Sequence, residues 1–255
     1  MQVNPLVIDL SHWDPADDYG AVKDDGIAGV IYKATEGQGY TDPTYPEQQQ
    51  AAKKWGLKWG AYHFADGTKT SGQIDNFLRY ACPDPDELFC LDWEDNPGGN
   101  GKMSLSQVKE WTDEVEKALR RPGECVIYGG NTIKENGNGD PFLLERRLWL
   151  CQYGSNAVLP EGYTDYWLWQ FTDGVSGPTP HSIDGVGPCD INSYQGSKEQ
   201  LIAEWASGKA QPQPPKPPAV EMVNVVILAP PDITVKVRQI SSLTLKDFNP
   251  KNRSK

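Results

Sequence analysis

Short apolar runs recur along the first 130 residues, and longer amphipathic stretches separate them. Five of these runs predict buried strands: Leu6–Leu10, Ala28–Ala34, Leu57–Phe64, Glu87–Trp93 and Glu124–Gly129. The stretches between them predict helices at Thr44–Trp55, Thr70–Tyr80 and Ser104–Arg121. The third helix has the clearest pattern, because Ser104 and Gln107 are spaced as a capping box before one apolar face. Strands that alternate with helices predict βαβ units and a parallel sheet.

The pattern changes after this point. Three further strand-like runs follow, at Arg147–Tyr153, Asp165–Thr172 and Gly187–Ser193, and the gaps between them are rich in Gly, Pro, Ser and Asp. Only Ser197–Trp205 predicts a closing helix. Eight strands with helices mainly in the first half predict an α/β fold, a modified TIM-like barrel without its later helices. Such a barrel fits in fewer residues than the roughly 250 of the complete type.

A Pro-rich stretch, Gln211–Pro218, marks the clearest boundary in the chain. We therefore expect a catalytic barrel over residues 1–208, a linker over 209–220 and a short extension over 221–255. The charge changes sign there, since residues 1–208 hold 16 basic and 32 acidic residues and residues 209–255 hold 8 and 3. The extension is β-prone at Val223–Leu228 and Ile233–Val237, and too short for a sizeable core of its own. Three interpretations stay open: docking on the barrel, a basic arm attracted to anionic envelope polymers, or a self-association contact.

Composition excludes several classes of function. The chain has 255 residues, a net charge of −11 and a pI near 4.8, which argues against nucleic-acid binding. No apolar run approaches the roughly 18–20 residues of a membrane-spanning helix. Three His residues without partners at ligand spacing, and no Gly-rich phosphate loop, predict no metal and no cofactor. The five Cys residues fit buried free thiols, with a Cys82–Cys90 bridge as the alternative.

Polar residues mark the predicted strand ends, where barrel enzymes carry their active residues. These positions are Asp9, Glu36, His63, Asp92 with Glu94, Tyr128, Gln152, Gln170 and Asp190. Asp92 and Glu94 are two residues apart, so a strand directs both side chains to one face. Carboxyl groups this close do not ionise independently, and one retains its proton, as a glycosidic general acid requires. A helix cap or an ion pair with Lys or Arg is the structural alternative.

Nine Trp and eleven Tyr residues are consistent with a saccharide ligand, because flat C–H faces of sugars pack on aromatic rings. The aromatic residues in or just beyond the predicted strands are Trp13, Tyr32, Tyr62, Trp93, Tyr128, Trp149, Trp167 and Trp169. A bulky barrel core would use the same residues. For Trp149 and Trp167 the sequence does not decide between core and cleft. His63 is compatible with substrate orientation or with a purely structural role.

Six motifs occur in the order and spacing of a known family. They are Val7-Ile-Asp-Leu-Ser-His-Trp13, Tyr32-Lys-Ala-Thr-Glu-Gly37, Gly60-Ala-Tyr-His-Phe64, Leu91-Asp-Trp-Glu94, Leu168-Trp-Gln-Phe-Thr172 and Cys189-Asp-Ile-Asn192. Over roughly residues 5–205 the chain resembles glycoside hydrolase family 25, the lysozymes that cleave β-1,4 bonds after N-acetylmuramic acid in peptidoglycan. The resemblance implies a flattened barrel of five β/α units followed by three strands.

The resemblance also implies roles for individual residues. Glu94 matches the general acid and Asp92 its partner, which orients the acetamido group of the substrate or assists a nucleophilic step. Asp9 and Asp190 match the other two acidic positions of the family site. The implied substrate-binding residues are Tyr62 and Glu36, and we add Tyr32, Trp13, Tyr128, Gln152, Gln170 and His63 from their positions near the rim. Substrate-assisted cleavage with retention is the preferred route, and a water-mediated inverting route stays open.

Peptidoglycan is thus the expected partner, without nucleic acid or stable membrane insertion, and the expected state is a monomer unless the extension mediates self-association. Met1–Asp9 shows neither a basic region nor the apolar stretch of a secretory signal. We therefore expect a phage endolysin that stays in the host cytoplasm until release to the wall, with secretion by another route as the alternative. Two rival functions stay open: a chitinase-like β-1,4-N-acetylglucosaminidase and a non-catalytic glycan-binding barrel.

Overall fold

The computed structural model describes residues 3–96 and 99–207, so the linker and the C-terminal extension lie outside the described residues. The strands are β1 Pro5–Leu10, β2 Gly29–Glu36, β3 Tyr40–Thr41, β4 Lys58–Phe64, β5 Leu88–Asp92, β6 Val126–Gly129, β7 Arg147–Cys151, β8 Leu168–Asp173, β9 Ser182–Ile183, β10 Gly187–Pro188 and β11 Asp190–Ser193. The helices are α1 Tyr19–Asp24, α2 Tyr45–Lys54, α3 Thr70–Tyr80, α4 Leu105–Leu119, α5 Asn131–Asn136, α6 Pro141–Leu144 and α7 Lys198–Glu204. No helix in this part of the chain has the length and apolar character needed to cross a bilayer.

Eight of the strands close into a barrel, which confirms the predicted fold class. Strands β1, β2, β4, β5, β6, β7 and β8 run parallel, each bonded to the next. Strand β11 closes the ring and runs antiparallel to both β8 and β1. Helices follow each of the first five barrel strands, and β7, β8 and β11 follow without intervening helices.

Side-chain alternation along the strands separates two apolar layers. Outward residues such as Val30, Leu91 and Ile127 pack beneath the helices in the larger cluster. Inward residues such as Ile31, Cys90 and Val126 fill the barrel interior. Successive strand residues point to opposite faces, so each polar residue near a strand end belongs to either the rim or the helix layer according to its parity.

Helix α4 shows how the sequence directs the outer layer. The Ser104 hydroxyl accepts a hydrogen bond from the backbone N–H of Gln107, and Gln107 Oε1 accepts one from the backbone N–H of Ser104, as the capping-box spacing predicts. The buried face of this helix presents Trp111, which stacks on the His63 ring with centroids 5.3 Å apart. The predicted helix is therefore confirmed, and it covers the outward face of β4.

Helix α7 closes the barrel at the end opposite the strand carboxyl ends. Leu201 and Trp205 are buried in the inner cluster with residues from the beginnings of several strands. The Trp205 indole donates a hydrogen bond to the carbonyl of Trp59 at 2.7 Å. Arg147 donates to the carbonyls of Glu204 and Trp205, which fixes the end of this helix to β7. This end of the barrel interior is thus packed.

The structure differs from the sequence prediction in its short helices and in the strand predicted at Gly187–Ser193. Helices α1, α5 and α6 were not predicted, because each has at most six residues and too few turns to show a helical period. The predicted strand Gly187–Ser193 is divided: Gly187 and Pro188 pair with β9 in a separate hairpin, and only Asp190–Ser193 belongs to the barrel. The predicted linker and extension lie outside the described residues.

Candidate active site

The carboxyl ends of the parallel strands surround a cavity of about 210 Å³. Its walls are formed by Asp9, Ser11, Trp13, Lys33, Tyr62, Phe64, Asp92, Glu94, Tyr128, Trp149, Tyr153 and Asp190. Asp190 reaches this rim for a different reason than the other acids. Because β11 is antiparallel, its first residue, Asp190, pairs with Asp9 near the end of β1. All four predicted catalytic carboxyl groups therefore lie in one cavity.

Asp92 and Glu94 reach the cavity together because Trp93 anchors the segment between them. The Trp93 backbone N–H donates to the carbonyl of Tyr128 at 2.9 Å, which extends the ladder beyond the end of β5. Its fully buried indole donates to the carbonyl of Met103 at 2.8 Å, on the outer side of the barrel. The residues on either side are consequently directed inward, as the two-residue spacing predicts.

Burial raises the pKa of both carboxyl groups in this pair. Asp92 is 5% exposed, and its Oδ1 has no hydrogen-bond partner in the described part of the chain. Desolvation raises its pKa well above the usual value, and the negative charge of Glu94 adds to this rise. Desolvation also raises the pKa of Glu94, and the Tyr128 hydroxyl partly offsets it. The pair therefore holds a proton at a pH where ordinary carboxyl groups have lost theirs.

Asp9 and Asp190 form the second acidic pair. Asp9 accepts hydrogen bonds from Gln170 Nε2 at 3.0 and 3.1 Å and from Asn192 Nδ2 at 2.7 Å. Burial raises the pKa of Asp9 to about 7, and these hydrogen bonds limit the rise. Burial, followed by the charge of Asp9, raises the pKa of Asp190 to about 9. This pair therefore also retains a proton at neutral pH.

Lys33 contributes the positive charge of the cavity wall, and sequence reasoning missed it. Its ammonium group lies 2.6 Å from Glu36 Oε2 and 4.7 Å from the centre of the Phe64 ring. Its charge lowers the pKa of Asp92 and so opposes the effect of burial. A lysine inside an otherwise apolar strand, Gly29–Glu36, was the available signal.

Four of the predicted aromatic residues line the cavity. Trp13 is 83% exposed and extends the wall outward, while Tyr62, Tyr128 and Trp149 form its inner part. The Trp149 indole donates to Asn192 Oδ1 at 2.5 Å, so this ring has a fixed orientation. Trp149, which the sequence left undecided, therefore belongs to the cleft.

The remaining predicted aromatics belong to the core. Trp93 and Trp169 lie in the outer layer, and Trp167 packs edge-on against Trp205 at the closed end. Tyr32 was wrongly placed in the site: its fully buried ring stacks on Trp59 beneath α2, because Tyr32 points outward where Lys33 points inward.

The structural interpretation of His63 is confirmed, and its assignment to substrate binding was wrong. The ring is fully buried, with Nδ1 2.7 Å from Thr35 Oγ1 and Nε2 3.0 Å from Gln73 Oε1. Burial lowers the pKa of His63 to about 4, so the ring is neutral at physiological pH. Its neighbour Tyr62 takes the inward position on β4.

Three other predicted contacts also lie outside the cavity wall. Glu36 is bound to Lys33 and accepts a hydrogen bond from Asn96 at 3.0 Å, and its charge contributes to the raised pKa of Asp92. The Gln152 carboxamide accepts hydrogen bonds from Lys134 and from the backbone of Val158, away from the acids. Gln170 is 1% exposed and lies behind Asp9.

Ser11, Phe64 and Tyr153 are further wall residues that sequence reasoning did not select. Ser11 and Phe64 each lie two residues after a predicted site residue, Asp9 and Tyr62. This spacing places them on the same face and could have identified them from the sequence. Tyr153 comes after the end of β7, where no strand period fixes its direction. Within the described residues, no group of His, Cys, Asp and Glu side chains is arranged to hold a metal ion.

A barrel whose open end combines protonated carboxyl groups with aromatic walls defines a carbohydrate-cleaving hydrolase. Proton donation to a glycosidic oxygen needs a carboxylic acid, and sugar rings need flat apolar contacts. The remaining question is which group of glycosidases has this barrel, and comparison with known proteins answers it.

The profile described as Glycosyl hydrolases family 25 matches residues 8–179. Lysozyme M1 of Streptomyces globisporus is 30% identical over 77% of this chain and 69% of that protein. The N,O-diacetylmuramidase of Chalaropsis sp. is 34% identical over 69% of this chain and 92% of that enzyme. The lysozyme of Streptococcus phage Cp-9 is 25% identical over 68% of this chain and 49% of that protein.

Solved structures agree with these relatives. The family GH25 lysozyme from Aspergillus fumigatus superposes with a TM-score of 0.67 at 29% identity, covering 80% of this chain and 99% of that one. The CTP1L endolysin superposes with a TM-score of 0.60 at 26% identity, covering 77% and 68%. The chain belongs to glycosyl hydrolase family 25. It is therefore a glycoside hydrolase of the lysozyme class, and its substrate is peptidoglycan.

Proposed function

We propose that the enzyme cleaves the β-1,4 bond between N-acetylmuramic acid and N-acetylglucosamine, with Glu94 as the general acid. The observation that carries this proposal is the Asp92–Glu94 pair at the cavity wall, where burial raises both pKa values. Glu94 is the less buried of the two and lies just beyond the strand end, on the wall of the cavity. Asp92 lies deeper, at the end of β5.

These positions favour a substrate-assisted mechanism. Glu94 gives its proton to the glycosidic oxygen as the bond from that oxygen to C1 breaks. The acetamido carbonyl oxygen of the same sugar forms a bond to C1. In this step Glu94 carries the proton of the pair and Asp92 is the carboxylate, which the charge of Lys33 stabilises. Asp92 accepts the acetamido N–H and balances the positive charge of the resulting ring. Water then attacks C1 as the bond from C1 to the acetamido oxygen breaks, and the water gives a proton to Glu94, so the acetamido group is regenerated and the configuration at C1 is retained. Enzymes of this type do not need a second carboxylate as nucleophile.

The aromatic wall explains how a glycan chain would be held. Tyr62, Tyr128 and Trp149 surround the acids, and the exposed Trp13 ring extends the wall toward solvent. Sugar faces would pack on these rings while polar sugar groups meet the carboxyl groups. Such contacts at several sugars suit a polymer rather than a single sugar.

Analysis of the new chain ends tests the bond assignment. Purified peptidoglycan would be digested, reduced with borohydride and examined by mass spectrometry, and we expect reduced muramic acid at the new ends. Reduced glucosamine would instead identify a β-1,4-N-acetylglucosaminidase of the chitinase-like kind. A folded enzyme that produces no new ends on several wall types would favour a glycan-binding barrel and contradict the proposal.

We further propose that the enzyme acts as a phage endolysin, held in the host cytoplasm until it is released to the wall. The support is similarity to a phage lysozyme and to an endolysin of known structure. Expression inside a bacterium with a susceptible wall should leave cells intact until the membrane is permeabilised, for example with chloroform, and should then cause rapid lysis. Lysis before permeabilisation, or secretion of active enzyme by intact cells, would contradict this placement.

A further inference from the structure

The carboxylate of Asp9 is held by two side-chain amides that lie behind the cavity wall. Gln170, from β8, donates to both oxygens of Asp9, at 3.0 and 3.1 Å, and Asn192, from β11, donates to Oδ2 at 2.7 Å. Both amides are buried, with exposures of 1% and 0%. Three N–H contacts to one carboxyl group favour its ionised form, because a carboxylate accepts hydrogen bonds at both oxygens.

The orientation of each amide is fixed by a second set of partners. Gln170 Oε1 accepts the hydroxyl hydrogens of Tyr128, at 2.8 Å, and Tyr153, at 3.2 Å. Asn192 Oδ1 accepts the indole N–H of Trp149 at 2.5 Å. An indole N–H can only donate, so the NH₂ end of Asn192 must face Asp9. The two tyrosine hydroxyls act as donors to Gln170 Oε1, which leaves the NH₂ end of Gln170 on Asp9.

Asp190 has a different environment, although it is the direct register partner of Asp9. Its carboxyl group receives no side-chain hydrogen bond from the described residues. The backbone groups around it take part in the pairing of β11 with β1 and β8. The charge of Asp9 raises the pKa of Asp190, so the two carboxyl groups do not both ionise readily. The one with amide donors takes the charge, and the other retains the proton.

We infer that Gln170 and Asn192 are positioning residues that assign the charge within this pair: Asp9 is the anion, and Asp190 is a neutral carboxylic acid. Asp190 then presents an O–H donor to the cavity at neutral pH, suited to a carbonyl or hydroxyl oxygen of the glycan. Asp9 offers only acceptors, suited to hydroxyl or amide hydrogens. Within one cleft, Asp190 thus recognises hydrogen-bond acceptors of the substrate and Asp9 recognises hydrogen-bond donors.

The charges around the pair agree with this assignment. Four other carboxyl groups act on the pair, namely Asp14, Asp92, Glu94 and Asp173, and Lys33 is the cation of the cavity wall. The nearby tyrosines and the thiols of Cys151 and Cys189 are neutral at pH 7, because burial raises the pKa of each. The surrounding negative charges raise both members of the pair, whereas the amide donors act on Asp9 alone.

Site-resolved titration tests the inference in the free enzyme. Carbon-13 labelled aspartate would report each side-chain carboxyl by NMR, with Asp9→Asn and Asp190→Asn used to assign the two signals. The first proton lost by the pair should register mainly at Asp9, and the second at Asp190. The opposite order would overturn the inference, whatever happens to the variants described next.

The variant Gln170→Met removes the amide donors and keeps the side-chain length. We expect the Asp9 step to move upward by about one pH unit and the separation of the two steps to shrink. Gln152→Met is the matched control, because Gln152 ends the neighbouring strand but has no contact with the acids. A separation unchanged in Gln170→Met would contradict the inference.

The recognition roles of the two acids rest on the proposed function, but the charge assignment does not. The titration uses no substrate, so it can fail while the analysis of wall digests succeeds, and the reverse can also occur. The two failures are therefore distinguishable.

Discussion

Replacing Glu94 by glutamine should reduce kcat on peptidoglycan by between about a hundredfold and ten-thousandfold, with a small change in KM. The glutamine keeps the size of the side chain but has no acidic proton for the glycosidic oxygen. The fold should be unaffected, because Glu94 lies at the cavity wall and outside the apolar clusters. The rate is measured as reducing ends released from purified walls, with a glycan pull-down to show that binding persists.

The same assignment of Glu94 predicts the direction in which activity changes with pH. Burial raises the pKa of Glu94, so the acid keeps its proton to a higher pH than an exposed glutamate. Activity of the unaltered enzyme should therefore persist to a higher pH than an exposed glutamate would allow, and fall as the pH rises through that raised pKa. The pH profile of the residual activity of Glu94→Gln should lack the fall that deprotonation of Glu94 causes.

Asp95→Asn provides the matched control, because Asp95 is the next residue and is exposed outside the cavity wall. It should retain nearly full activity and an unchanged pH profile. If Glu94→Gln turned over almost normally, or if Asp95→Asn lost as much activity, Glu94 would not be the general acid.

The sequence predicted the barrel because its strands are short, apolar and regularly interrupted. Alternation of strands and helices up to Gly129 determined the parallel part of the sheet. The direction of β11 was not predictable in the same way, since Asp190 was expected at a strand's carboxyl end and stands instead at the first residue of an antiparallel strand. It reaches the correct rim because the reversed direction exchanges the two ends.

Parity explains the errors at single positions. Lys33 lies in the cavity wall, where Tyr32 was predicted. On β4, Tyr62 points inward and His63 faces α4. A shift of one residue moves a side chain to the other face, and the ladder between β2 and β4 is irregular between Lys33 and Thr35. The sequence predicts that polar groups gather at the rim better than it predicts which ones enter the cavity.

The amides behind Asp9 show a further limit of sequence reasoning. From the sequence, Gln170 was predicted to contact the substrate. Asn192 belongs to the Cys189–Asn192 motif, but no role was predicted for it. Both lie on strands separated from β1 by more than 150 positions in the chain, and their hydrogen bonds to Asp9 depend on closure of the barrel. Only the assembled ring brings the first and last strands together.

Replacing Asp92 by asparagine should lower kcat by about a hundredfold, because misplacing a reacting group within a site has effects of this size. In the proposed mechanism Asp92 orients the acetamido group and balances the positive charge formed on it, and asparagine retains only the first ability in part. Deep burial and the proximity of Glu94 make this carboxyl group sensitive to its environment. Released reducing ends and KM should be measured together, and KM should change little.

The variant Asp92→Ala with added azide distinguishes orientation from nucleophilic attack. If Asp92 were the nucleophile, the space left by alanine would admit azide, the rate would recover, and a glycosyl azide would accumulate. If Asp92 orients the acetamido group, azide should neither restore the rate nor appear in the product, and the remaining slow reaction should still retain the configuration at C1. We expect the second result, because the substrate's own acetamido oxygen then forms the bond to C1. An azide product would assign the nucleophile to Asp92. NMR of the first-formed anomer gives the stereochemistry of the unaltered enzyme. Inversion there would contradict both routes and favour direct attack by water.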